Sequence, residues 1–244
     1  MDVREVRIYQ AGSFSLEQTL ELSPEAGQHV GVVLRMQPGG KITLFCGDNW
    51  EFSALLLAVQ KKKVTVKIVE ERVINRESPR KIHLAQAISK GERMEFVVQK
   101  AVELGVASLS PILTSRSVVR LEPERMEKKL AQWQAVAIAA CEQSGRNQLP
   151  LISKVVTLDD YLQHNEARLK LVLDPKESKT WRDYEFGQSE IALLIGPEGG
   201  FSKDELKQIF SQGFNPLYLG PRILRTETAA IAALSVLQAV CGDL

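Results

Sequence analysis

No stretch of this sequence is apolar for long enough to cross a bilayer as a helix. The longest unbroken run, Ala135 to Cys141, is seven residues, against about 20 for a spanning helix. Asp2, Arg4 and Glu5 interrupt the apolar residues at the start, so no signal peptide is read there and the cytoplasm is the expected compartment. Cysteine is scarce: Cys46, Cys141 and Cys241 are an odd number without CxxC spacing, which argues against a disulfide framework or a zinc cluster and reads as reduced core thiols. The three histidines, His29, His83 and His164, lie far apart without acidic neighbours at ligand spacing, so no metal is expected. Excess charge is missing too. With 31 basic and 30 acidic side chains the net charge is +1, and any affinity for nucleic acid must come from a local patch. Neither GxxxxGK[ST] nor GxGxxG after a strand occurs, which removes the usual fingerprints of nucleoside triphosphates and dinucleotides but leaves a neutral or cationic adenosine ligand open.

What is present is ordinary globular material. The chain has 244 residues, 44% hydrophobic and 25% charged, enough for one large domain or two ordinary ones. Residues 1–72 show short alternating apolar segments broken by turns, which predicts a small β domain with strands at Val30 to Met36, Lys41 to Cys46, Glu51 to Val59 and Lys63 to Val69. From about Arg80, apolar runs alternate with amphipathic segments, the pattern of an α/β domain with a mainly parallel sheet over residues 73–244. Strands are expected at Ile82 to Ala87, Leu109 to Leu113, Leu169 to Leu173, Ile191 to Ile195 and Leu217 to Leu219. Helices are expected over Glu92 to Leu104, with Phe96, Val97, Ala101 and Leu104 on the buried face, and from about Pro123 to Gln143. Ser202 with Glu205 forms a capping box, and Thr226 is placed to cap a final helix from Glu227 to about Val240.

Three strand ends draw attention. Leu173 runs into Asp174-Pro175, Ile195 into Gly196-Pro197-Glu198-Gly199-Gly200, and Leu219 into Gly220-Pro221-Arg222-Ile223-Leu224-Arg225. In open α/β sheets ligands sit outside the carboxyl ends of the strands, so one pocket made by three loops is the economical reading. Ordinary tight turns are the plainer alternative.

The strings LLIGPEGGFSKDE (Leu193 to Glu205) and LGPRILRTETAAIAAL (Leu219 to Leu234) resemble the RsmE-type enzymes of the SPOUT superfamily. SKGERMEFVVQKAVELGV (Ser89 to Val106) and AACEQSGR (Ala139 to Arg146) extend the resemblance, and HVGVVLRMQPGGKITLFCG (His29 to Gly47) resembles that family's PUA-like β-barrel. The resemblance implies a trefoil-knotted, Rossmann-like methyltransferase domain behind a PUA-like RNA-binding barrel. It also implies S-adenosylmethionine as cofactor, homodimers, and methylation of N3 of one uridine in 16S ribosomal RNA of the small subunit. A SPOUT enzyme acting on transfer RNA, or a non-catalytic ribosome-assembly factor that kept the fold, are the competing readings.

On that footing the expected cofactor contacts are Leu173, Ile195, Gly196, Pro197, Glu198, Gly199, Gly200, Leu219, Gly220, Ile223, Leu224, Arg225, Thr226 and Thr228. Arg225 is the expected cation beside the carbonyl oxygens of a deprotonated uracil, and Glu198 or Glu227 the expected proton acceptor. A carboxylate in a first helical turn is also favoured by the helix dipole, so Glu227 has a structural alternative. Residues 73–150 carry 12 basic and 8 acidic side chains. Arg116, Arg120 and Arg146 there, with Arg7 and Arg35 of the small domain, are the expected phosphate contacts.

Overall fold

The computed structural model describes residues 6–61, 63–117, 123–187 and 189–244. The chain divides into two compact units, Met1–Glu77 with Cys141–Leu149, and Ser78–Ala140 with Pro150–Leu244. The division read from the sequence, 1–72 and 73–244, places the first unit's end five residues earlier and gives no sign that a later segment returns to it. Polar pairing accounts for the return. Within the first unit Glu142 accepts the Tyr9 N–H, Asn147 accepts from Arg7, Gln148 donates to Asn49, and Arg146 pairs with Glu77.

The first unit is a five-stranded mixed sheet in the order β1-β3-β4-β5-β2. Its strands are β1 (Arg7–Tyr9), β2 (Thr19–Glu21), β3 (Lys41–Phe45), β4 (Trp50–Gln60) and β5 (Lys63–Val73). Val64, Val66 and Ile68 alternate inward along β5 and meet Ile42, Leu44, Phe52 and Leu56 in the core. The strand expected at Val30 to Met36 is not there. Instead α1 (Pro24–Gln28) runs into a π-helical turn, His29–Val33. Ser23 starts it by accepting the Ala26 N–H, with Pro24 in the first turn. Only Val30 of the run is buried, and Val32 and Val33 are 46% and 62% exposed. Gly31 allows the turn to lie directly on the β4–β5 hairpin, because a Cβ there would stand 2.2 Å from the Lys61 carbonyl oxygen.

The second unit carries a parallel sheet in the order β12-β10-β11-β6-β7-β8, with β9 paired to β7. Its strands are β6 (Ile82–Ala87), β7 (Ser108–Leu113), β8 (Leu151–Ile152), β9 (Val156–Thr157), β10 (Leu169–Leu173), β11 (Ile191–Ile195) and β12 (Asn215–Leu217). All five residues of β11 are buried, as a central parallel strand covered on both faces requires. The helices are α2 (Arg93–Glu103), α3 (Pro123–Ser144), α4 (Leu158–His164), α5 (Lys203–Ser211) and α6 (Thr226–Cys241). The buried face of α2 is Met94, Val97, Val98, Ala101 and Val102, whereas Phe96, expected inside, is 44% exposed. From β6 the chain builds outward through β7 to β8, while β10 and β12 lie on the other side of β11. The direction of winding therefore reverses between β6 and β11, where open α/β sheets leave a crevice.

Candidate active site

Local sequence shapes each loop at the crevice. After β11, the Gly200 N–H closes a turn onto the Pro197 carbonyl at 2.8 Å, with Gly200 at φ +65. α5 then starts with the expected capping box: Ser202 Oγ accepts the Glu205 N–H, and the Glu205 carboxylate accepts the Ser202 N–H at 2.7 Å and the Ser115 N–H at 2.7 Å. Burial pushes the Glu205 pKa up, but those backbone donors outweigh it and the net shift is downward. Gly196 has no room for a side chain, since a Cβ would lie 3.0 Å from the Phe201 ring.

Thr226 does something other than cap α6. The capping position is Arg225, whose side chain makes no capping bond. The buried Thr226 hydroxyl instead donates to the Gly196 carbonyl at 2.7 Å and accepts from Gln86 Nε2 at 3.0 Å. One side chain thereby ties the end of β6, the loop after β11 and the start of α6. The physical reason is burial: a hydroxyl away from water needs partners, and here they come from two other strands rather than from its own helix.

The three strand ends enclose one cavity of about 610 Å³, inside the roughly 300–1,000 Å³ range of small-molecule sites. Every expected cofactor-contact residue except Thr228 lines it: Leu173 from β10, Ile195 to Gly200 from the β11 loop, and Leu219, Gly220 and Ile223 to Thr226 from the last loop. Thr228 is exposed and faces elsewhere on α6. Asp174, Lys176, Phe201, Leu217, Arg222, Arg93 and Arg116 also line the cavity. Arg225 is an exposed cation at its edge, and Ile223 beside it is 88% exposed.

The remaining basic candidates fall in different places. Arg116 donates to the Gly199 carbonyl at 2.8 Å and so supports the glycine loop. Arg7 and Arg146 are engaged inside the first unit, Arg7 with Glu51 and Asn147 and Arg146 with Glu77. Their side chains are only 9% and 5% exposed, so neither stands free for a phosphate. Arg35 is exposed, with φ +52, just after the π-helical turn. Arg120 lies outside the described residues.

Arg93, at the start of α2, was not among the expected site residues, although it stands in the Ser89–Val106 string. It donates to Glu198 at 2.8 Å, and its Nε lies 4.0 Å from Glu227 Oε1. Both candidate proton acceptors thus share one guanidinium. Their second signal was spatial: no spacing rule links residues 93, 198 and 227. Among the described residues no group of three His, Cys, Asp or Glu could hold a metal ion, and no helix is long and apolar enough to cross a membrane.

The site is thus a set of glycine loops and an Arg-bridged carboxylate pair at the switch point of a parallel sheet, and comparison with known proteins says which class of protein carries it. Residues 76–238 match the family model described as RNA methyltransferase domain. The chain is 34% identical over 238 residues to ribosomal RNA small subunit methyltransferase E of Buchnera aphidicola subsp. Acyrthosiphon pisum, covering 97% of this chain and 94% of that protein. It is 33% identical to the enzyme of the same name from Bacillus subtilis, covering 90% and 89%. The structure superposes on ribosomal RNA small subunit methyltransferase E from Neisseria gonorrhoeae bound to S-adenosylmethionine, with TM-score 0.93, 37% identity, 99% of this chain and 100% of that chain. A Legionella pneumophila protein solved with the cofactor SAM bound superposes with TM-score 0.98 and 58% identity, covering 99% and 100%. The chain belongs to the ribosomal RNA small subunit methyltransferase E family.

Proposed function

We propose that this protein transfers a methyl group from S-adenosylmethionine to N3 of one uridine in 16S ribosomal RNA, acting as a cytoplasmic homodimer on the small ribosomal subunit. The observation that carries the reading is the convergence of three strand ends on one cavity with Arg225 at its edge and two carboxylates beside it.

The cavity suits the cofactor. Leu173, Ile195, Leu217 and Phe201 give it apolar lining, and Gly196 and Gly199 let the loop pack closely on Phe201 and Arg116. S-adenosylmethionine, when bound, supplies a methyl group made electrophilic by its sulfonium. The chain's own residues do the rest. Thr226 and Arg116 hold the Gly196 and Gly199 carbonyls in place, so the loop needs little reorganisation on binding. Arg225 is the cation for the charge that spreads onto the uracil carbonyl oxygens once N3 loses its proton, and Glu198 or Glu227 accepts that proton. The trefoil knot and the PUA-like barrel are part of the same reading: the five-stranded unit would bring Arg35 to ribosomal RNA, and the loops at the cavity would belong to the knotted segment.

Two measurements test this. Calorimetric titration with S-adenosylmethionine should show saturable binding; none, even with RNA present, would defeat it. Mass spectrometry of ribosomal RNA from a strain lacking this chain should show one uridine in 16S RNA without its methyl group. An unchanged modification map would remove the assignment, and a change in transfer RNA alone would favour the other substrate.

A further inference from the structure

A second, open hollow of about 720 Å³ adjoins the first and shares with it only Arg93 and Glu198. Its walls are the loop after β6 (Lys90, Gly91, Glu92), Phe96 of α2, Glu198 and Glu227. It therefore lies on the β6 side of the switch point, while the glycine-loop cavity lies on the side of β10 and β12.

We infer that this hollow seats the acceptor nucleotide, a pyrimidine turned out of its RNA strand, with its ring on Phe96 and its N3 facing Glu227. The inference rests on the methyltransferase reading above and adds to it the place of the second substrate and the choice between the two carboxylates.

Four observations support it. Phe96 is an aromatic ring left 44% exposed on a helix whose other large apolar residues near it are buried, and exposed rings are what unpaired bases stack upon. Lys90 lines the hollow beside the ring and is the cation there for a phosphate next to a stacked base, since Arg93 is paired with Glu198 and Lys100, 5.9 Å from the ring centroid, with Glu103. Glu198 is hydrogen-bonded to Arg93 at 2.8 Å, so its charge is already engaged. Glu227 lines the second hollow and not the first, is 13% exposed, and its Oε2 is buried with no hydrogen-bond partner among the described residues. A buried acceptor without a donor is costly. The N3–H of a uracil is a donor, and the soft carboxyl torsion lets either oxygen turn toward it.

The step then balances. The N3 proton passes to the Glu227 carboxylate, the N3 electron pair forms the new N–C bond, and the electrons of the broken S–C bond return to sulfur, which leaves as a neutral thioether. Arg93 and Glu198 line both hollows and Arg225 only the first, so the base would meet Arg225 and the methyl donor at the junction of the two, where the reacting atoms must stand about 3–3.5 Å apart.

The test uses full-length protein and small ribosomal subunits from a strain lacking this chain. Phe96→Ala should raise KM for subunits about 10-fold or more, Phe96→Tyr should restore it, and neither should alter S-adenosylmethionine affinity by calorimetry. Glu227→Gln should lower kcat about 100-fold or more with KM little changed. Subunits carrying 5-bromouridine, irradiated on the protein, should cross-link to the tryptic peptide Met94–Lys100. Normal KM in Phe96→Ala, or cross-links confined to other peptides while the wild type still methylates uridine, would overturn the acceptor site and leave the methyltransferase reading standing. A Phe96→Ala protein that becomes monomeric would mark the hollow as a contact between copies instead. A wild type that binds the cofactor but modifies no uridine would remove both.

Discussion

At the scale of single residues, the molecule uses charge in two ways. Arg225 stands exposed at a cavity edge with no structural duty in its own helix cap. Its replacement by Ala is expected to lower turnover roughly 100- to 1,000-fold while cofactor affinity by calorimetry stays nearly unchanged; a large loss of affinity would give it a cofactor-holding role. Glu51 is the opposite case. Its side chain is fully buried and accepts from Arg7, Arg72 and Arg76. Burial pushes its pKa up, but the hydrogen bonds and charges of Arg76 and Arg7 outweigh that and bring it from 4.5 to about 2. A folded-state pKa below the unfolded value contributes stability that is fully present above pH 4.5 and is lost as pH falls toward 2. Denaturant unfolding followed across that window should show the loss in the wild type. Glu51→Gln should be less stable at neutral pH by about 1–3 kcal/mol, because it leaves Arg7, only 9% exposed, without its carboxylate while Arg72 and Arg76 can turn to water, and its stability should vary less over the same window.

Elements are set by local chemistry, read well or badly according to whether their signals compete. The capping box of α5 and the apolar run of β11 pointed to the elements found. The segment from His29 misled, because three valines and a leucine read as strand by β-propensity. Ser23-Pro24 upstream had already started a helix, and the hairpin below accepts it only because residue 31 is glycine. Gly31→Ala should therefore destabilise the first unit by about 1–3 kcal/mol as the turn is pushed off Lys61, measurable as a lower thermal midpoint. Phe96 misled for a related reason: helical spacing allows two adjacent stripes, and packing buried the one holding Val97, Val98 and Ala101.

For the whole molecule, the outward face of α6 keeps Ile231, Ala232 and Val236 partly exposed, a face a second copy would cover. Sedimentation equilibrium should accordingly report twice the 27.2 kDa of one chain, and a strictly monomeric protein at micromolar concentration would contradict the proposed homodimer. The same scale explains the return of Cys141–Leu149 to the first unit. Arg146 and Asn147 are ordinary polar residues until Glu77 and Arg7 are brought beside them.

By itself the sequence determined the α/β class of the second unit and named the loops that the structure gathers round one cavity. Period and turn chemistry are local, and two glycine-bearing strand ends with Asp174-Pro175 already name the loops that line the cavity. Tertiary structure alone decided which side chains those loops meet. That Thr226 ties Gln86 to Gly196, that Arg93 joins Glu198 to Glu227, and that Arg7 is buried in an ion pair while Arg225 is exposed all depend on residues far apart in the chain. Charge and hydrogen bonding act over a few ångströms of space, and no interval along a sequence records that distance.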